Sequence, residues 1–357
     1  MSAWLPTAPC TPRGCARHRG PAAGAAAGAG RLLVGIPLVL CGALLAPLLA
    51  PLNAVVRDRL TRSWSRGVLR AFGLRITVLG AGEYGAAGAV APRGAGVLVV
   101  ANHISWLDIP LLATVFPGRM LAKSEIRRWP VLGALAARGG TLFVERERLR
   151  ALPDAVRTLS GALGEGSRVI AFPEACTWCG REQGRFTSAV FQAAVDAGAA
   201  VRPVRITYRT PGGESSGAPA FVGDDTLPAS LWRVVSAGGL TAEITLLPPV
   251  PAGPHTDRRA LARTAHRAIT YGALAYGPLA HGGDVHGGDA HGDTVHGCDV
   301  HGRDVHGHGA RGGAAPWAGA VPRQTAVASE SANRLASSVH QCVNSIRAEA
   351  SSERTRS

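Results

Sequence analysis

The apolar run Val97 to Val100 ends abruptly in Asn102 and His103, and Asp108 follows five positions after His103. A short β-branched run of this kind reads as a buried strand. A buried strand that stops in a polar cluster delivers side chains to the rim of a sheet, where open α/β folds bind ligands. Imidazole titrates near neutrality and can take a proton from a hydroxyl, provided one ring nitrogen is free to accept it. A carboxylate on the other nitrogen fixes that tautomer and stabilises the imidazolium. His103 and Asp108 therefore become the first candidates for chemistry, with a structural His–Asp pair at a helix start as the alternative.

The pattern repeats along the chain. Strands are expected over Leu74 to Leu79, Val97 to Val100, Arg119 to Ala122, Thr141 to Val144, Arg168 to Phe172, Val201 to Tyr208 and Ala242 to Leu247. Helices are expected over Arg57 to Phe72, Ile109 to Val115, Leu152 to Leu163, Ser188 to Asp196 and Asp257 to Tyr276. Strands alternating with helices predict an α/β domain, with a mixed, largely parallel sheet flanked by helices. The expected organisation has four parts: residues 1–30 as a disordered, Ala/Gly/Pro/Arg-rich extension, 31–56 as a hydrophobic membrane segment, 57–277 as the α/β domain, and 278–357 as a tail.

Leu32 to Val56 contains no charged residue and is long enough to cross a bilayer. Pro37, Pro47 and Pro51 interrupt it, and arginines flank both ends. A membrane-embedded segment, with a kinked hairpin returning to the same face, fits this pattern better than a simple crossing; a buried core helix is the alternative. The helix after it is arginine-rich and suits an anionic lipid surface. The tail carries six pentapeptides beginning at His281, His286, His291, His296, His301 and His306, mostly of the form His-Gly-x-Asp-x. Glycine at that frequency prevents a stable helix, so the tail is expected to be disordered, with loose metal binding as the alternative.

Net charge is +14, yet Lys123 is the single lysine, so the basicity is almost all arginine. No zinc-finger or aromatic-interleaved RNA motif accompanies it, and nucleic acid is not an expected partner. Seven scattered cysteines exclude a disulfide-stapled secreted domain. The lone C-x-x-C at Cys176 and Cys179 lacks the second half of a zinc site.

Three further blocks end strands in polar residues. Gly140 to Arg146 reads GTLFVER and presents a guanidinium suited to phosphate. Val169 to Gly180 reads VIAFPEACTWCG, with Glu174 after Pro173, and Val201 to Ile206 reads VRPVRI. In this order the blocks resemble the 1-acylglycerol-3-phosphate acyltransferases, the PlsC-like family, over roughly residues 57–250. Asn102, His103 and Asp108 match its Asn-His-x4-Asp. Gly140, Phe143 and Arg146 match its Gly-x-x-Phe-x-x-Arg, and Phe172, Pro173 and Glu174 match the start of its Phe-Pro-Glu-Gly-Thr. Val201, Pro203 and Val204 match its last strand. Lys123, Glu125, Pro130 and Gly133 look like the stretch between the first two blocks. Ala175 and Cys176 replace the usual Gly and Thr, and Thr177 stands where many members have Arg.

The resemblance implies a glycerol-3-phosphate acyltransferase-like fold and transfer of a fatty acyl group from acyl-CoA or acyl-ACP to the free hydroxyl of 1-acyl-sn-glycerol-3-phosphate. It implies His103 as general base, Asp108 as its orienter, and Arg146, Glu174, Asn102, Lys123 and Thr177 as acceptor-binding residues. No metal and no bound cofactor are implied. Backbone N–H groups near the first or third block are expected to meet the developing oxyanion. The expected location is the cell membrane, with the catalytic domain on the cytoplasmic face. Another lysolipid acceptor, such as lyso-ornithine lipid, stays open because of the altered third block. So do a non-catalytic scaffold that keeps the fold and an acylated Cys176.

Overall fold

The computed structural model describes residues 7–49, 51–81, 96–129, 132–145, 148–253 and 257–272. The strands are β1 (Arg75–Leu79), β2 (Val97–Ala101), β3 (Arg119–Lys123), β4 (Leu142–Val144), β5 (Arg168–Ala171), β6 (Ala200–Arg209) and β7 (Thr241–Leu246). They form one sheet in the order β1-β7-β6-β2-β5-β3-β4, parallel at every pairing except the antiparallel β6–β7. This is the mixed, largely parallel sheet expected from the alternation. The helices are α1 (Pro12–Cys15), α2 (Ala25–Leu45), α3 (Ala54–Ala71), α4 (Asp108–Ala113), α5 (Leu132–Arg138), α6 (Leu152–Gly164), α7 (Ala189–Asp196), α8 (Leu227–Ser236) and α9 (Arg258–Tyr271).

The central strand β2 shows why the runs read as continuous apolar rather than alternating: both faces are covered. Leu98 and Val100 face one core with Val169, Ala171, Leu163 of α6, Phe191 of α7 and Ile269 of α9. Val99 and Ala101 face the other, with Leu69 of α3, Leu111 of α4, Val234 of α8 and Ile206. Helix α8 lies outside the sequence expectations. Its start signal is present, since Thr226 accepts a hydrogen bond from the Ala229 N–H and Pro228 occupies the first turn.

The expected membrane segment divides differently from the sequence reading. Helix α2 begins at Ala25, inside the stretch expected to be disordered, because Ala25 to Ala27 favour helix. It passes through Pro37, ends near the 3₁₀ turn Ala46–Leu49, and α3 then starts under an Asn53 cap. The two helices run antiparallel, with Gly35 against Phe72 and Gly42 against Trp64, whose indole N–H donates to Leu38 O at 3.0 Å. A Cβ at Gly42 would sit 2.4 Å from the Trp64 ring, so this close approach requires glycine. Residues Ala25–Leu49 are long and apolar enough to cross a membrane; an 18-residue window within them has mean hydropathy 2.5, and only 11% of that window is buried. A core helix is mostly buried, and this one is mostly exposed among the described residues.

Residues 7–24 also depart from the expected disorder. The Gly217 and Gly238 N–H groups donate to Arg17 O and Pro21 O at 3.0 and 2.7 Å, and Cys10 and Ala16 are buried. The segment obtains its backbone partners from other loops, which composition alone does not reveal. Helix α9 ends at Tyr271 with Gly272 at φ +75°, and the repeat tail lies outside the described residues.

Candidate active site

Strands β2, β5, β3 and β4 all point the same way, so their carboxyl ends share one rim of the sheet. From β2 the chain enters a tight loop in which His103 Nδ1 lies 2.8 Å from Asp108 Oδ2. The same oxygen accepts the Ile104 and Ser105 N–H groups at 2.6 and 2.8 Å. Asp108 Oδ1 accepts the Tyr208 hydroxyl at 2.6 Å. Four donors converge on a fully buried carboxyl group, the arrangement suited to an acceptor-only carboxylate. Nδ1 must then carry the imidazole proton, leaving Nε2 as a free acceptor. The His103 side chain is 20% exposed, enough to meet a substrate. Its ring stacks on Phe172 with centroids 3.9 Å apart and planes 11° apart, which fixes its tilt.

Glu174 joins this loop to the one after β5. Its Oε2 accepts the His103 N–H at 2.7 Å and its Oε1 the Gly184 N–H at 3.0 Å. Burial pushes the carboxyl up to about 8, the two N–H donors oppose that rise, and the Asp108 charge adds to it. Gly184 is required here, because a Cβ would lie 2.3 Å from Trp178 Nε1. The backbone N–H of Trp178 donates to His103 O at 2.7 Å.

The structure thus brings Asn102, His103, Asp108, Glu174 and Thr177 together, but three of them face inward. Asn102 is buried and exchanges hydrogen bonds with the Ile206 backbone at 3.0 and 2.8 Å, tying β2 to β6. Glu174 is 1% exposed. The Thr177 hydroxyl donates to Phe221 O. Read as acceptor-binding in the sequence, these side chains here hold the protein's own backbone. Asn102 ties the end of β2 to β6 and Glu174 and Thr177 tie loop to loop, and motif spacing cannot distinguish either from ligand contact. Lys123 stands exposed at the carboxyl end of β3, two strands from β2, and Arg146 lies outside the described residues.

Three of the candidate oxyanion donors, all in the first block, already have partners. The N–H groups of His103, Ile104 and Ser105 are all engaged with Glu174 and Asp108, so these three do not face a thioester carbonyl.

Tyr208 escaped the sequence reading. Its signal is the period of two that places Val204, Ile206 and Tyr208 on one face of β6. Burial, then the Asp108 charge, raise its hydroxyl well above the usual tyrosine range, so it remains a donor. Tyr208→Phe is expected to lower stability by about 1.5–3 kcal/mol, the value of a hydrogen bond to a charged group. It should also lower kcat about tenfold, or ~1.4 kcal/mol. Thermal unfolding and initial rates check the two parts separately.

Ala175, which replaces the glycine usual in the third block, has φ +62°, the one positive value among described non-glycine residues. The left-handed conformation costs an L-residue about 1–2 kcal/mol, against roughly 0.5–1 kcal/mol of extra chain entropy for glycine. Ala175→Gly is therefore expected to stabilise by up to about 1 kcal/mol, read as a higher unfolding midpoint in detergent.

A family model described as Acyltransferase matches residues 88–207. A 1-acyl-sn-glycerol-3-phosphate acyltransferase of Neisseria meningitidis serogroup B is 38% identical over 206 residues, covering 57% of this chain and 77% of that protein. A lyso-ornithine lipid O-acyltransferase of Pseudomonas aeruginosa is 38% identical over 218 residues, covering 60% of this chain and 78% of that protein. The crystal structure of the 1-acyl-sn-glycerophosphate acyltransferase PlsC from Thermotoga maritima aligns with 68% of this chain and 96% of that one, at 18% identity and a TM-score of 0.46. By the extent of these sequence matches, the chain belongs to the acyltransferase family, among the enzymes that acylate lysolipids.

Proposed function

We propose that the protein moves a fatty acyl group from acyl-CoA or acyl carrier protein to the free hydroxyl of 1-acyl-sn-glycerol-3-phosphate, giving phosphatidic acid. The observation that carries this reading is the His103–Asp108 pair, with Nδ1 held at 2.8 Å and Nε2 left as acceptor at the sheet rim. Nε2 removes the proton from the acceptor hydroxyl as its oxygen attacks the thioester carbonyl. The new C–O bond forms, the C–S bond breaks, and the imidazolium returns its proton to the leaving thiolate. Asp108 stabilises the imidazolium between these steps. The attack is direct, with no metal and no bound cofactor. Arg146, from its sequence block, and Lys123 hold the acceptor's phosphate; Asn102, Glu174 and Thr177 act as positioning residues. The domain works at the cell membrane, where the acceptor resides, on the cytoplasmic face; the long, exposed apolar helix α2 supports the membrane part of this reading.

A second acceptor class has its own support. Thr177 stands in place of the family's frequent Arg, and its hydroxyl is engaged with Phe221 O rather than open to a headgroup. Several relatives are named lyso-ornithine lipid O-acyltransferases. Membranes containing the full-length protein, given acyl-CoA or acyl carrier protein thioester and a panel of lysolipids, separate the two. Preference for lysophosphatidate supports the first reading. Acylation of lyso-ornithine lipid with lysophosphatidate ignored replaces it with the second.

A further inference from the structure

The C-x-x-C at Cys176 and Cys179 looks in the sequence like half of a metal site. The fold supplies further sulfurs from the other end of the domain. Residues 7–24 lie against the loop that follows Glu174: the Arg181 guanidinium donates to Gly14 O and Cys15 O at 3.1 and 3.2 Å. This contact brings the Sγ atoms of Cys10, Cys15 and Cys179 within 4.8 Å of one another. Cys10 and Cys179 are 5% and 4% exposed, and Cys15 is half-buried.

Three thiolates on one tetrahedral Zn²⁺, each at about 2.3 Å, would stand about 3.8 Å apart, so the sulfurs need only small movements to share an ion. A disulfide would engage two of the sulfurs and leave the third beside it, whereas a cation engages all three. All three thiols are unpaired in the structure.

We propose that Cys10, Cys15 and Cys179 form a tri-thiolate site for Zn²⁺ that fastens the amino-terminal segment to the loop between Glu174 and Gly184. Three thiols lose their protons to solvent as three Zn–S bonds form, and a solvent oxygen completes the tetrahedron. Because Gly184 donates to Glu174, and Glu174 holds the His103 backbone, the bound ion would order the loop behind the catalytic histidine. The site is structural and touches no reacting atom.

The test uses the full-length protein purified in detergent under reducing conditions without chelator. X-ray absorption at the zinc edge of the parent should show three sulfur neighbours at about 2.3 Å. Co²⁺ added in place of Zn²⁺ should give a near-ultraviolet sulfur-to-cobalt band that saturates at one equivalent. That band should be lost in Cys10→Ser and Cys179→Ser and kept in Cys176→Ser, Cys41→Ser and the double variant Cys298→Ser/Cys342→Ser. Zinc surrounded only by nitrogen and oxygen would assign the metal to the histidine repeats and overturn the proposal. So would a band that survives Cys179→Ser, or a peptide in which two of the three cysteines are disulfide-linked. The absorption measurement on the parent decides the question even where a serine variant fails to fold.

Discussion

Asp108→Ala is expected to lower kcat about 10²–10⁴-fold, the range that a positioned general base contributes. It should also destabilise the protein by more than about 3 kcal/mol, because several buried donors lose their acceptor at about 1–3 kcal/mol each. Asp108→Asn separates the two effects. The amide oxygen can take the place of Oδ2 and keep the His103, Ile104 and Ser105 donors, whose distances are 2.8, 2.6 and 2.8 Å. The amide nitrogen then faces Tyr208, whose hydroxyl can rotate to accept. Fold and tautomer survive in that variant, but the negative charge that stabilises the imidazolium is gone. The expected result is a near-parental unfolding midpoint with a kcat that stays low. Parental kcat in Asp108→Asn would show that the carboxylate charge plays no part in the rate-determining step.

Glu174→Gln is expected to cost about 1–3 kcal/mol, since the amide can accept only one of the two N–H groups from His103 and Gly184 and turns a donor toward the other. Its pH dependence is a sharper signature. With the folded carboxyl pushed up to about 8, from an ordinary value of 4.5, the folded state holds a proton across that window that the unfolded state has lost. The stability from this group is fully present below about pH 4.5. It declines as pH rises and is gone once pH passes the folded value. Unfolding midpoints of the parent, measured from pH 4.5 to 8, should therefore fall relative to those of Glu174→Gln, which lacks the titrating group. Parallel curves for the two proteins would remove Glu174 as the source of the slope.

The centre of the sheet was legible in the sequence because β2 and β5 are buried on both faces and read as unbroken apolar runs, while β1 and β7 at one side alternate in burial. The His103–Asp108 pair was legible because five residues span one tight turn between a strand and a helix. The inward-facing roles of Asn102, Glu174 and Thr177 were not, since their partners are backbone groups of Ile206, Gly184 and Phe221 that spacing does not bring near. Tyr208 reaches Asp108 across 100 positions through the β2–β6 pairing, a tertiary fact. The packing of residues 7–24 was hidden for the same reason, as their partners belong to distant loops. The strain at Ala175, by contrast, follows from the departure from glycine and appears in the structure at φ +62°.

The most direct test of His103 as the base is the release of free CoA from acyl-CoA by the parent and by His103→Ala. Both are purified as full-length protein, matched for folded fraction, and supplied with the lysolipid the parent acylates fastest. A fall in acceptor-dependent CoA release of about 10²–10⁴-fold, with an unfolding midpoint close to the parent's, is the expected result. Equal acceptor-dependent rates in the two proteins would contradict the assignment of His103 Nε2 as the proton acceptor.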